Sequence, residues 1–90
     1  MKYVLIIETA EPGYSGYFPD LPGCITAGET LDEVRSNAVE ALELHLEDEP
    51  DLPPARALAQ VLADSEVDAA LDGSEFFTSV DYHGQPVASA

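Results

Sequence analysis

Residues 3–7 read Tyr-Val-Leu-Ile-Ile, an apolar run with no polar break. In an extended chain Tyr3, Leu5 and Ile7 project to one side and Val4 and Ile6 to the other. Both faces of this strand are therefore apolar, which suits a strand inside a sheet covered on both sides better than a half-solvated edge strand. The whole chain has 90 residues, so this strand must organise one small domain near the lower limit for an unassisted core. The run is too short for the apolar region of a signal peptide, and no stretch approaches the ~20 apolar residues that span a bilayer. One cysteine, Cys24, excludes an intrachain disulfide framework. These features together point to a cytoplasmic protein.

Turn chemistry divides the chain after this strand. Glu11-Pro12-Gly13 supplies a turn, since proline presets φ and glycine accepts φ > 0. Tyr14–Phe18 reads as a second strand with Tyr14, Gly16 and Phe18 on one face. Pro19 and Pro22 bracket Asp20-Leu21 and stop it. Gly23–Ala27 is a short third strand closed by Gly28. Thr30 is a good N-cap for a helix, and Glu33 completes the pattern of a capping box. At 100° per residue, Leu31, Val34, Ala38, Ala41, Leu42 and His45 fall on one stripe, with Val39 and Leu46 at its margin. Glu33, Glu40, Glu43 and Glu47 gather opposite, and Pro50 ends the helix. Pro53-Pro54 can open a shorter helix to about Ala63, with Leu58, Val61 and Leu62 as its apolar stripe. Residues 64–73 fit a helical turn or a loop equally well. Glu75–Tyr82 alternates as a last strand, and the segment from Gly84 onward reads as a frayed tail.

The expected order is β-β-β-α-(α)-β, an α+β domain over residues 1–83. Three strands joined by short turns suggest a meander, and a helical crossover brings the last strand parallel to the first. The expectation is thus a four-stranded mixed sheet with helices on one face.

Charge narrows the function. With 3 basic and 18 acidic side chains the formal net charge is −15, so the chain cannot neutralise a row of phosphates and direct nucleic-acid binding is not expected. A cationic partner is favoured. The strands are nearly neutral, and most acids lie on the long helix and the segment after it.

Candidate catalytic residues do not assemble. A two-metal nuclease needs carboxylates converging from a strand centre and a facing element. The first strand offers none before Glu8, the helix acids face away from the apolar stripe, and Asp20 and Asp81 stand alone. Cys24 is read as a buried strand cysteine, His45 as a packed histidine and His83 as exposed. Gly13, Gly16, Gly23 and Gly28 are spaced as turn and strand residues, with no phosphate-cradling loop. No catalytic residue, metal ligand or cofactor is assigned. Among the aromatics, Tyr14, Tyr17 and Phe18 are either core or an exposed contact patch. Leu44 is a lone leucine toward the polar side of the helix.

The stretch from Tyr17 to Val34, Tyr-Phe-Pro-Asp-Leu-Pro-Gly-Cys-Ile-Thr-Ala-Gly-Glu-Thr-Leu-Asp-Glu-Val, running into Asn37-Ala-Val-Glu-Ala-Leu42, resembles the signature of HicB-like antitoxin domains. The first strand and the proline-rich tract after the helix also fit. The resemblance implies a partial ribonuclease-H-like fold, a β-β-β-α-β core, and assembly as homodimers or higher oligomers. It implies a partner as well: HicA, a small basic RNA-cleaving toxin that the antitoxin covers and neutralises. Full-length HicB proteins usually carry a C-terminal DNA-binding domain, whereas this chain ends about eight residues after its last strand, so operator binding is not expected of it.

The sequence reading is therefore a non-enzymatic antitoxin. Its contact residues are expected in the loop Phe18, Pro19, Asp20, Leu21, Pro22 and Gly23 and on the acidic helix face at Glu33, Glu40, Glu43 and Glu47. An orphan binding or scaffold module on the same fold is the alternative. A residual metal-dependent nuclease is a further one, opposed by the missing carboxylates.

Overall fold

The computed structural model describes residues 1–83; the C-terminal segment read as frayed lies outside them. The elements are β1 (Lys2–Thr9), β2 (Tyr14–Tyr17), β3 (Ile25–Gly28), α1 (Leu31–Leu46), α2 (Leu58–Leu62), α3 (Ser65–Ala70) and β4 (Phe76–Asp81). The strands form one sheet in the order β3-β2-β1-β4, which places the doubly apolar β1 in its interior. Tyr3, Val4, Leu5, Ile6 and Ile7 are all buried. Full burial of an aliphatic side chain of this size is worth about 1.5–3 kcal/mol, so this strand anchors the domain.

Two layers cover it. On one face Tyr3, Leu5 and Ile7 pack with Val34, Ala38, Leu42 and Leu46 of α1, joined by Phe18, Leu21 and Cys24. On the other, Val4 and Ile6 meet Val61 of α2, with Tyr17, Val67 and Leu71 alongside. Helices thus lie on both faces, not on one as expected. Helix α2 starts at Leu58, later than Pro53-Pro54, and contributes one buried residue, Val61; Leu58 is exposed.

Every strand pair is antiparallel, including β1 with β4, where Lys2 faces Asp81 and Ile7 faces Phe76. The expected mixed sheet is therefore corrected. A single helical crossover would have delivered β4 parallel to β1. Here the chain leaves α1 near the start of β1, where the Tyr3 hydroxyl donates to the Pro53 carbonyl at 2.6 Å. Helices α2 and α3 then carry it along the opposite face to the far end of β1, and β4 enters there at Phe76. The second traverse reverses the last strand.

Local signals are met more closely. Gly13 has φ +82°, and a Cβ there would fall 2.5 Å from the Gly28 carbonyl oxygen. The hairpin turn therefore requires glycine. The Thr30 side chain accepts from the Glu33 amide at 3.1 Å, while Glu33 reaches back to the Glu29 amide at 2.6 Å. The reciprocal cap thus engages one residue earlier than the usual capping box. Helix α1 ends at Leu46, before Pro50. Its buried stripe is Val34, Ala38, Leu42 and Leu46; His45 is exposed, because Leu46 takes the inward position at the last turn.

Candidate functional site

The loop between β2 and β3 is held by its own side chains. Phe18 and Leu21 are buried at 2% and 1% exposure, and Cys24 lies beside them. The Phe18 amide donates to the Cys24 carbonyl at 3.2 Å, and Leu21 and Cys24 amides each donate back within the loop at 3.0 Å. Gly23, with φ +87°, closes the turn. The expected contact residues therefore divide: Phe18 and Leu21 face the core, whereas Pro22 and Gly23 are exposed and Pro19 is half-buried.

Asp20 is also committed internally. Its carboxylate, 5% exposed, accepts the Arg56 amide at 2.7 Å and the Arg56 Nε at 2.6 Å. Arg56 extends a second bond of 3.0 Å to Asp64, the N-cap of α3, whose other oxygen accepts the Glu66 amide at 2.9 Å. The Arg56 hydrogen bond, helped by the Glu66 amide, holds the Asp64 carboxyl below the usual aspartate range, and the two carboxylates raise Arg56. Arg56 thus clamps the loop to α3, because Asp20, without this partner, would be a carboxylate enclosed without compensation.

A groove of about 450 Å³ opens between the loop and α3, lined by Pro19, Pro22, Gly23 and Ile25 on one side and Glu66 and Val67 on the other, with Tyr17 and Glu8 behind. Burial, followed by the nearby Glu8 and Glu75 charges, pushes the Tyr17 hydroxyl up. The groove is apolar in its walls and acidic at its rim.

The helix acids form a second, separate surface. Glu40, Glu43 and Glu47 surround the exposed Leu44 and line a shallow hollow of about 390 Å³. This hollow shares no lining residue with the loop groove. Glu33 stands two turns earlier on the same side, tied to the Glu29 amide.

The Cys24 thiol is enclosed 3.7 Å from the Ala41 carbonyl oxygen, and burial pushes its pKa up. No three histidine, cysteine, aspartate or glutamate side chains converge to hold a metal among the described residues. Tyr14 is half-buried, with its ring edge-on to Phe76 at 6.2 Å. No described helix is long and apolar enough to cross a membrane.

Four residues that shape these surfaces are not singled out by the sequence patterns. Arg56 is the clamp, and Ile25, 70% exposed, stands at the mouth of the groove. Asn37 donates to the Ala27 carbonyl at 2.8 Å and Arg35 to the Ser79 carbonyl at 2.8 Å. A signal for Asn37 exists, since asparagine is a poor residue for a helix interior unless its side chain has a partner. Arg35 and Arg56 stand out only as two of the 3 basic residues.

Comparison with known proteins places this geometry. The family model described as HicB-like antitoxin of bacterial toxin–antitoxin system matches residues 3–82. An uncharacterised 14.9 kDa protein of Haemophilus phage HP1 is 41% identical over 66 residues, covering 69% of this chain and 50% of its own length. The chain thus spans about half the length of that relative. The crystal structure of antitoxin HicB3 superposes with a TM-score of 0.73 at 26% identity, over 100% of this chain and 70% of that one. A chain of the HicA3 and HicB3 toxin–antitoxin complex gives a TM-score of 0.69 at 30% identity, over 90% of this chain and 96% of that one.

Proposed function

The chain belongs to the HicB-like antitoxin family of bacterial toxin–antitoxin systems, and on that premise we propose that it binds and neutralises a small, basic, RNA-cleaving toxin of the HicA type. The observation that carries the reading is the likeness to a chain of the HicA3 and HicB3 complex, which extends over 96% of that chain. The physical chemistry agrees. A surface that binds RNA is cationic, and this chain brings a net charge of −15, a complementary field that speeds encounter. Neutralisation then proceeds by covering the toxin in the cytoplasm, without turnover, metal or cofactor. The contacts we assign are the outward parts of the loop, Pro19, Pro22 and Gly23, and the acidic side of α1 at Glu33, Glu40, Glu43 and Glu47. In this reading Leu44 supplies an apolar contact among the acids.

Co-expression with a small basic toxin of the HicA type tests the proposal. The expected result is a complex that survives purification at low salt, weakens as salt rises, and suppresses RNA cleavage in proportion to the amount bound. An active ribonuclease in the presence of excess antitoxin, or no complex at low salt, would overturn it.

A further inference from the structure

At the outer edge of β3, unpaired backbone, an exposed aliphatic side chain and acids without an ion-pair partner meet. Phe18 and Cys24 are directly opposed and hydrogen bonded, and the register Tyr17↔Ile25, Gly16↔Thr26, Ser15↔Ala27 continues from them. Hydrogen-bonded and non-bonded pairs alternate along an antiparallel ladder. Thr26 therefore bonds inward to β2, while the N–H and C=O of Ile25 and Ala27 point outward. The Ala27 carbonyl is capped by the Asn37 amide. The N–H and C=O of Ile25 and the N–H of Ala27 hold no protein partner among the described residues. Edges of this kind are ordinarily blunted by a charge or a proline, yet the residue here is isoleucine at 70% exposure.

The surroundings specify what would fit. Ile25 ends a row that crosses the whole sheet, Phe77–Ile6–Tyr17–Ile25, on the face carrying α2 and α3. A strand added opposite Ile25 would extend that row by one apolar side chain at the mouth of the groove. Its two neighbouring side chains would point to the α1 face. There Asn37 touches the edge, so Glu33 and Glu40, one turn to either side of it, flank the same line. Glu8 and Glu66 line the groove on the other face. None of these four acids has a salt-bridge partner among the described residues. The basic side chains are spent or stand elsewhere: Arg35 bonds Ser79, Arg56 is paired with Asp20 and Asp64, and Lys2 lines a hollow with Phe77, Thr78 and Ser79 of β4.

We infer that the outer edge of β3, centred on Ile25, accepts an extended cationic segment of the partner as a fifth strand, with an apolar side chain beside Ile25 and lysine or arginine on either side of it. The cationic character of the partner rests on the antitoxin reading; the edge, its register and its acids do not. Backbone bonds supply the affinity in this mode of recognition and alternate side chains the specificity.

A titration of the nitrogen-15-labelled chain with the peptide Ac-KVKVKV-NH2, against Ac-KGKGKG-NH2 of equal charge, reads the edge without any toxin. The expected result is amide shifts at Ile25 and Ala27 that require the valines. Binding should weaken about tenfold on Ile25→Pro, which removes an outward donor, and on Ile25→Lys, which adds repulsion. The Ile25 amide donates to no strand of this sheet, so the proline spares the existing ladder, and unchanged β4 resonances report an intact fold in both variants. Equal shifts with both peptides, shifts confined to Glu40–Glu47, indifference to both Ile25 variants, or Ile25 shifts that follow protein concentration alone would each overturn the proposal. Failure here leaves toxin neutralisation standing, and failure of the co-expression test leaves the titration readable.

Discussion

The two edge strands of the sheet are each bonded by the same helix, with opposite chemistry. On β4, Arg35 donates to the Ser79 carbonyl, bringing a full positive charge to an edge that Lys2 and Arg56 also approach. On β3, the neutral Asn37 caps Ala27, and the neighbouring side chains are acids. At the β4 edge the Arg35 charge is spent on a carbonyl, while Arg56 also reaches back to Asp20 and Asp64. The β3 edge retains its negative field. In a chain of −15 the position of three cations therefore matters more than the position of the many acids: where the cations are absent, the surface is left to a partner.

Removing the contrast at its root requires lifting α1 from both edges at once. Leu42, 1% exposed in the core beneath that helix, is the position to change. Leu42→Ala should cost about 2–5 kcal/mol, measured by urea unfolding, with hydrogen exchange of the inward-bonded Thr26 and Val80 amides accelerating together. Protection lost at one edge alone would show that α1 does not close both.

A narrower perturbation separates the edges. A Cβ on Gly28 would stand 2.8 Å from the Val34 amide nitrogen and 3.1 Å from the Glu33 backbone, neither of which can move without displacing the first turn of α1. Gly28→Ala should cost about 1–3 kcal/mol by overpacking in thermal unfolding. Exchange at the Thr26 amide should rise while the Val80 amide stays protected.

Asn37→Leu isolates the β3 edge further by uncapping Ala27 with little change of volume. The expected loss is about 0.5–1.5 kcal/mol, at the low end because the side chain is exposed. The added strand acceptor should strengthen binding of the valine peptide at the β3 edge. No comparable gain should appear at β4.

Acid should produce the smallest and most gradual effect. Asp64 is held below the usual aspartate range by Arg56, and Asp81 by the amino terminus, 3.0 Å away beside β4. A depressed folded pKa means stability that is present above the unfolded value and lost as pH falls through the folded one. The contribution of these pairs should therefore be lost as pH falls from the ordinary aspartate range through the lower folded values, and Asp64→Asn should flatten that decline in acid titrations followed by circular dichroism.

Much of the fold is legible along the chain because its causes are local. The alternation at residues 3–7, the Pro12-Gly13 turn and the Thr30 cap each act within a few residues, and each is met. The site is less legible. Phe18 and Leu21 look like loop residues available to a partner, yet they anchor the loop, because only the docked α1 provides the cavity they fill. His45 falls on the apolar stripe but is exposed, since the buried row Val34, Ala38, Leu42 and Leu46 keeps its four-residue spacing to the last turn and leaves His45 to one side. Helices α2 and α3 are the least legible elements: with Val61 as their one buried residue, they carry almost no periodic signal.

Periodicity, turn chemistry and composition are enough to specify a central strand apolar on both faces, three turn-linked strands, a capped amphipathic helix and a net charge too negative for nucleic acid. None of these needs knowledge of distant neighbours. The antiparallel course of the last strand, the cover of helices on both faces and the pairing of Arg35 and Arg56 with their distant partners arise only when the layers assemble. Arg35 meets Ser79 across 44 residues and Arg56 meets Asp20 across 36. Partners that far apart are chosen by how the layers close, since no local interaction along the chain distinguishes one distant carbonyl or carboxylate from another.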